Sequence, residues 1–131
     1  MVIFGIGTDI VNIKRMDQSL KKFGTKFKKK HFSNKEIIYC DKKKNSSSYY
    51  AKRFAAKEAF SKAMGTGIRK GVSLKNIEVT NNASGKPFIL LKGNLSKYLK
   101  KKIKSQKYDI HLSLSDDKPW AQATVIIAYT K

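Results

Sequence analysis

The sequence predicts an α+β fold, a mostly antiparallel sheet packed against helices, and three observations carry that expectation. The run Val2-Ile3-Phe4-Gly5-Ile6-Gly7-Thr8-Asp9-Ile10-Val11 is rich in β-branched residues and reads as a strand. Residues 48–64 are rich in alanine, lack proline and read as a helix. The second half of the chain holds short apolar segments separated by turn residues, the mark of hairpins. The resulting order is strand, helices, hairpin, helix, hairpin. No internal repeat or linker interrupts the 131 residues, so a single domain, 1–131, is expected.

Each element has its own signature. Residues 2–13 are expected to be a buried strand, with Gly5 and Gly7 permitting a close backbone approach. Over 16–31, Met16, Leu20, Phe23 and Phe27 recur at helical spacing, and Gly24 should break or bend that helix. Ser33 and Glu36 form a capping box ahead of Ile37-Ile38-Tyr39, so a short helix starts there. Asn45-Ser46-Ser47-Ser48 marks a loop or a helix start. In the 48–64 helix, Phe54, Glu58 and Lys62 share one stripe, while Ala55, Ala59, Ala63 and Phe60 make an adjoining stripe for packing. Gly65-Thr66-Gly67 ends it. Residues 74–80 and 87–92 are expected strands around the turn 81–86, and 94–106 an amphipathic helix. Tyr108–Ser115 alternates Ile110, Leu112 and Leu114 against His111, Ser113 and Ser115. A turn at 116–119 then leads to a last strand over 120–130.

Composition narrows the partners. A hydrophobic content of 40% fits a folded protein rather than a disordered basic tail. Against 9 Asp+Glu stand 29 Lys+Arg, a net charge of +20 that favours polyanionic partners. Nucleic acid, anionic membrane, phosphorylated cofactors and acidic proteins all satisfy that charge. The arginines are only Arg15, Arg53 and Arg69, so each is a candidate for a site that needs a bidentate fork. The scattered lysines read as a solvated surface. A single cysteine, Cys40, excludes an intrachain disulfide and reads as a buried structural thiol. No basic leader and no membrane-length apolar run is present, and a soluble, cytoplasmic protein is expected.

Asp9 and Glu58 stand out because a basic chain has placed them among apolar and small residues. A partly buried carboxylate is costly unless it is paired or holds a metal. Two on separate elements suit Mg²⁺, which takes one or two carboxylates and leaves other positions to water and phosphate. Alternatives stand beside this reading. Asp9 would equally serve as a strand-end cap or an ion-pair partner of Arg15 or Arg53. Glu58 would equally form an ordinary i,i+4 pair with Lys62. Lys57 and Lys62 are candidates for phosphate contact, and the backbone of Gly65-Thr66-Gly67 for a phosphate cradle. His111 lies among small polar residues on its strand, whereas His31 follows a lysine run and reads as surface.

Four blocks together resemble a known family. Gly5-Ile6-Gly7-Thr8-Asp9-Ile10-Val11 with Ile13 and Arg15 is similar to the first signature of bacterial holo-acyl-carrier-protein synthases, the 4′-phosphopantetheinyl transferases. Arg53-Phe54-Ala55-Ala56-Lys57-Glu58-Ala59 with Lys62, Ala63 and Gly65-Thr66-Gly67 resembles the second. Ser84-Gly85-Lys86-Pro87 and His111-Leu112-Ser113-Leu114-Ser115-Asp116 follow as the third and fourth. The pattern has an acid after Asp-Ile-Val, where this chain has Asn12.

The resemblance implies a 4′-phosphopantetheinyl transferase fold and transfer of phosphopantetheine from coenzyme A to a serine of acyl carrier protein, within fatty acid biosynthesis. It implies that Asp9 and Glu58 hold Mg²⁺ and that Glu58 and Lys62 are catalytic. Either Glu58 or a water on the metal takes the serine proton. Coenzyme A would be bound by Arg53, Phe54, Lys62, Gly65, Thr66, Ser84, Gly85, Pro87 and His111. Arg15 would face the acidic carrier protein. A homotrimer with sites between subunits is implied, so that residues 84–87 serve a neighbour's Asp9 and Glu58. The rival reading, a nucleic-acid-binding module, explains the charge and pairs such as Lys97-Tyr98 but not the two acids, so nucleic acid is not the expected partner.

Overall fold

Three strands, β1 (Val2–Asn12), β4 (Tyr108–Asp117) and β5 (Trp120–Tyr129), form an antiparallel sheet in the order β1-β5-β4. The helix α3 (Ser46–Met64) lies along one face of it. The computed structural model describes residues 1–65 and 73–131. Before α3 come α1 (Ile13–His31) and α2 (Asn34–Asp41). After it, a 3-10 turn (Leu74–Asn76) leads to the hairpin β2 (Ile77–Asn81) and β3 (Pro87–Leu91), and α4 (Leu95–Ile103) precedes β4.

Small residues set the distance between helix and sheet. Gly5 and Gly7 face α3, and a Cβ added at either would collide with the backbone oxygen of Ala63 or Ala59 respectively. Ala55, Ala56, Ala59 and Phe60 of α3 are buried in one cluster with Ala123, Val125 and Ile127 of β5. The alanine stripe and the two glycines thus belong to one contact, in which backbone rests nearly on backbone.

The other face of the sheet is open, which corrects the expectation of a buried first strand. Ile3, Ile6 and Ile10 are 67%, 66% and 59% exposed, and Trp120 is 47% exposed. Between them runs a polar ladder: Gln122 Nε2 donates to Thr8 Oγ1 at 3.0 Å and to Thr124 Oγ1 at 2.7 Å, while Ser115 Oγ donates to Gln122 Oε1 at 3.2 Å. The β-branched run encoded strand correctly. It did not encode burial, because β1 is covered on one face only.

Other expectations hold locally. Gly24 interrupts α1 at φ 56° and ψ −136°, a positive-φ conformation in which glycine carries no Cβ penalty. Asn12, where the resemblance has an acid, is the N-cap of α1 and accepts from the Arg15 backbone N–H at 3.2 Å. Gly65 closes α3 at φ 82°. Cys40 is fully buried, and desolvation pushes its thiol up to about 12. β4 runs on to Asp117, so the turn is shorter than the expected 116–119.

Candidate active site

Side-chain direction along α3 sorts its charges into two groups. The stripe Phe54-Glu58-Lys62 turns toward β1. Lys62 Nζ donates to Thr8 O at 2.9 Å and to Asp9 Oδ1 at 3.1 Å, tying α3 to the strand that carries Asp9. Asp9 pairs with Ala123 in the sheet, which puts it on the helix-facing side like Gly5 and Gly7. The expected partners of Asp9, Arg15 and Arg53, are therefore replaced by Lys62.

Glu58 has no side-chain partner among the described residues. No ion pair involves it among the described residues, so the expected Glu58–Lys62 pair is not formed. Burial raises its pKa first, and the negative charge of Asp9 raises it further against the opposing pull of Lys62. Two carboxylates close enough to repel, with one half-exposed ammonium between the elements, make a local excess of negative charge. That donor set fits a hard divalent cation, which would relieve the repulsion and leave positions for water and phosphate.

The next stripe, Arg53 and Lys57, turns the other way and overturns the phosphate reading of Lys57. Its side chain has no solvent exposure. Its three donors are all used, on Glu36 Oε1 at 2.7 Å, Leu74 O at 2.9 Å and Ile77 O at 2.6 Å. Glu36 in turn completes the capping box with Ser33 and accepts from the Val79 backbone N–H at 3.0 Å. Burial pulls the Lys57 ammonium down, and Glu36 holds it up.

Arg53 is also buried. Its Nη2 donates to Asn81 Oδ1 at 3.0 Å, its Cζ lies 4.3 Å from the centre of the Tyr39 ring, and its Nε has no partner. Asn81 Nδ2 donates to Gly85 O at 2.8 Å. The loop 82–86 is closed further by Asn82 Oδ1, which accepts from Ser84 N, Ser84 Oγ and Lys86 N. Ser84 and Gly85 are exposed at its tip, and Pro87 opens β3.

The remaining candidates fall in three places. Phe54 is partly buried and meets His31 edge-on, with ring centres 5.8 Å apart. His31, expected at the surface, is half-buried: its ring lies 4.5 Å from that of Phe27, and its Nδ1–H donates to Phe27 O at 3.0 Å. Desolvation lowers its pKa. His111 is exposed and pairs with Ile126, on the face of the sheet opposite Asp9. Thr66 lies outside the described residues, as do Gly67 and Arg69, so the phosphate cradle proposed for 65–67 is described only at Gly65. Asn81 and Glu36 were missed. The turn chemistry around Asn81 hid a residue that reaches back to α3, and the capping box concealed a second role for Glu36.

Residues 5–125 match the 4′-phosphopantetheinyl transferase superfamily. The chain is 46% identical over 127 residues to a holo-acyl-carrier-protein synthase of Caulobacter vibrioides (strain NA1000 / CB15N), covering 96% of each chain. The crystal structure of the Neisseria meningitidis synthase superposes with a TM-score of 0.87 at 41% identity, covering 96% of this chain and 98% of that one. The Helicobacter pylori synthase, solved in complex with coenzyme A, superposes with a TM-score of 0.80 at 34% identity, covering 94% and 99%.

Proposed function

The chain belongs to the 4′-phosphopantetheinyl transferase superfamily, among its holo-acyl-carrier-protein synthases, and on that premise we propose that it transfers 4′-phosphopantetheine from coenzyme A to a serine of apo-acyl carrier protein with the help of Mg²⁺. The single observation that supports this most is the closeness of Asp9 on β1 and Glu58 on α3, with Lys62 beside them and no ion pair to Glu58 among the described residues.

In the reaction the serine oxygen attacks the pantetheine-side phosphorus of the pyrophosphate. The bond from that phosphorus to the bridging oxygen breaks, and adenosine 3′,5′-bisphosphate leaves. Asp9 and Glu58 would hold Mg²⁺, which supplies charge neutralisation for the pyrophosphate when bound. Lys62 sits within reach of Asp9 and adds positive charge beside the leaving phosphate. The serine proton would go to Glu58 or to a water beside it. Arg53, Phe54, Gly65, Thr66, Ser84, Gly85, Pro87 and His111 would surround the rest of coenzyme A.

The reading includes a homotrimer. In one chain His111 and Asp9 lie on opposite faces of the same sheet, so a site needing both must draw one from a neighbour. Residues 84–87 are assigned to a neighbour's site on the same reading. The exposed isoleucines of β1 and Trp120 give the sheet an apolar face suited to self-association. Exposed Arg15 at the start of α1, and the +20 charge, would draw in an acidic carrier protein. Work as one domain, residues 1–131, in cytoplasmic fatty acid biosynthesis follows from the same reading. No described helix is long and apolar enough to cross a membrane.

The test is intact-mass measurement of apo-acyl carrier protein incubated with the chain, coenzyme A and Mg²⁺. A gain equal to phosphopantetheine, abolished by chelator, is expected. Unmodified carrier protein across several carriers, with the chain verified as folded, would reject the proposal.

A further inference from the structure

We propose that Asn81 is a positioning residue: one amide that locks Arg53 of α3 to the hairpin loop 82–86 and so sets the coenzyme A site of the function proposed above, on which this inference rests. Asn81 ends β2, half-buried, and its side chain bonds at both ends. Oδ1 accepts from Arg53 Nη2 at 3.0 Å, and Nδ2 donates to Gly85 O at 2.8 Å.

The chemistry of the partners fixes the amide's orientation. A guanidinium has only donors and a peptide carbonyl only accepts, so the bridge needs one acceptor and one donor a short distance apart. Asparagine supplies both. Aspartate cannot donate, lysine cannot accept, and alanine makes neither bond. The two ends matter because Arg53 and the segment Ser84–Pro87 come from different signature blocks, separated by about thirty residues of sequence.

Among the described residues, no other side-chain hydrogen bond joins Arg53 to the loop end of the hairpin. Tyr39 covers one face of the guanidinium, but Nε has no partner, so Asn81 makes the only hydrogen bond to the Arg53 side chain among the described residues. On the loop side, Asn82 closes the turn upon itself through Ser84 and Lys86, which shapes the loop but does not aim it. Lys57 ties the start of β2 to α3 through Ile77 O, and Asn81 ties the loop end of the hairpin to it. Loss of the link leaves the buried Arg53 guanidinium without a hydrogen bond, so some fall in melting temperature accompanies the misalignment, and the split between KM and kcat is the readout that separates the two.

The experiment compares wild type, Asn81→Ala and Asn81→Asp in steady-state phosphopantetheine transfer, together with melting temperature and calorimetric binding of adenosine 3′,5′-bisphosphate. Asn81→Ala should raise KM for coenzyme A by roughly tenfold and weaken the bisphosphate to a similar extent, as loss of binding shared by ground and transition states requires. Its kcat should stay within about twofold, and KM for the carrier protein should not move. Asn81→Asp, which keeps the Arg53 bond and loses the Gly85 bond, should fall between the two. A KM for coenzyme A unchanged in Asn81→Ala would overturn the inference while leaving the transferase reading intact. So would a loss shared equally by kcat, both KM values and melting temperature, since that marks a purely structural role. A wild-type chain without transfer would overturn the reading and the inference together.

Discussion

Lys57 and Lys62 stand on the same helix five residues apart, yet they belong to different kinds of site. Lys57 is sealed in the core, where Glu36 and two carbonyls use all three of its donors. Lys62 is half-exposed and pairs with Asp9, and among the described residues no cation pairs with the nearby Glu58. The first arrangement is closed: every polar atom is satisfied, and a ligand would have nothing to bind. The second is electrostatically unfinished, with two acids and one base. A closed pair holds a fold in register, and an unfinished one is free to take a ligand.

The comparison breaks most readily at Glu58. Glu58→Ala should lower kcat for phosphopantetheine transfer by roughly 10⁴-fold, or about 5.5 kcal/mol, as for loss of a metal ligand at a phosphoryl-transfer site. Steady-state assay at saturating coenzyme A reads this, and the melting temperature should not fall. Lys57→Met should do the reverse. Stranding Glu36 in the core should cost about 3–5 kcal/mol in urea unfolding, while the remaining folded fraction keeps much of its kcat.

Gly7→Ala tests the bed on which both lysines rest. Its Cβ would strike the backbone oxygen of Ala59, and α3 cannot retreat without uncovering Ala123 and Val125. A loss of about 2 kcal/mol is expected in the same unfolding experiment. The smallest effect belongs to Glu58→Gln in the presence of chelator. The folded-state pKa of Glu58 lies above its ordinary 4.5, so the fold binds this proton more tightly than the unfolded chain does. Ionisation therefore destabilises the fold as pH rises through the folded value, and that penalty is absent below 4.5. The glutamine variant should melt on the order of 2 °C higher at pH 7.5, with the gap closing toward pH 4.

Much of this was legible in the sequence. Asp9 and Glu58 betrayed themselves as acids in apolar surroundings of a basic chain, and the sheet and helix order followed from periodicity. Gly5, Gly7 and the alanine stripe were readable as a close contact, although not as the same one. Lys57 was not legible. A helical lysine looks the same whether it meets water or a glutamate 21 residues earlier, and only tertiary packing decides. His31 was misplaced for the same reason: neighbouring lysines suggested solvent, while Phe27 and Phe54 fold over its ring. β1 erred in the other direction, because a run rich in β-branched residues reads as buried throughout even where one face of the strand is open. Asn81 escaped because a turn asparagine is usually explained by its own backbone.

The most direct measurement is binding of Mn²⁺, as a paramagnetic stand-in for Mg²⁺, followed by electron paramagnetic resonance with coenzyme A present. The account predicts a bound ion in wild type that is lost in Asp9→Asn and in Glu58→Gln, and retained in Glu36→Gln wherever that variant is folded. Undiminished binding in Glu58→Gln, or loss in folded Glu36→Gln alone, would contradict it.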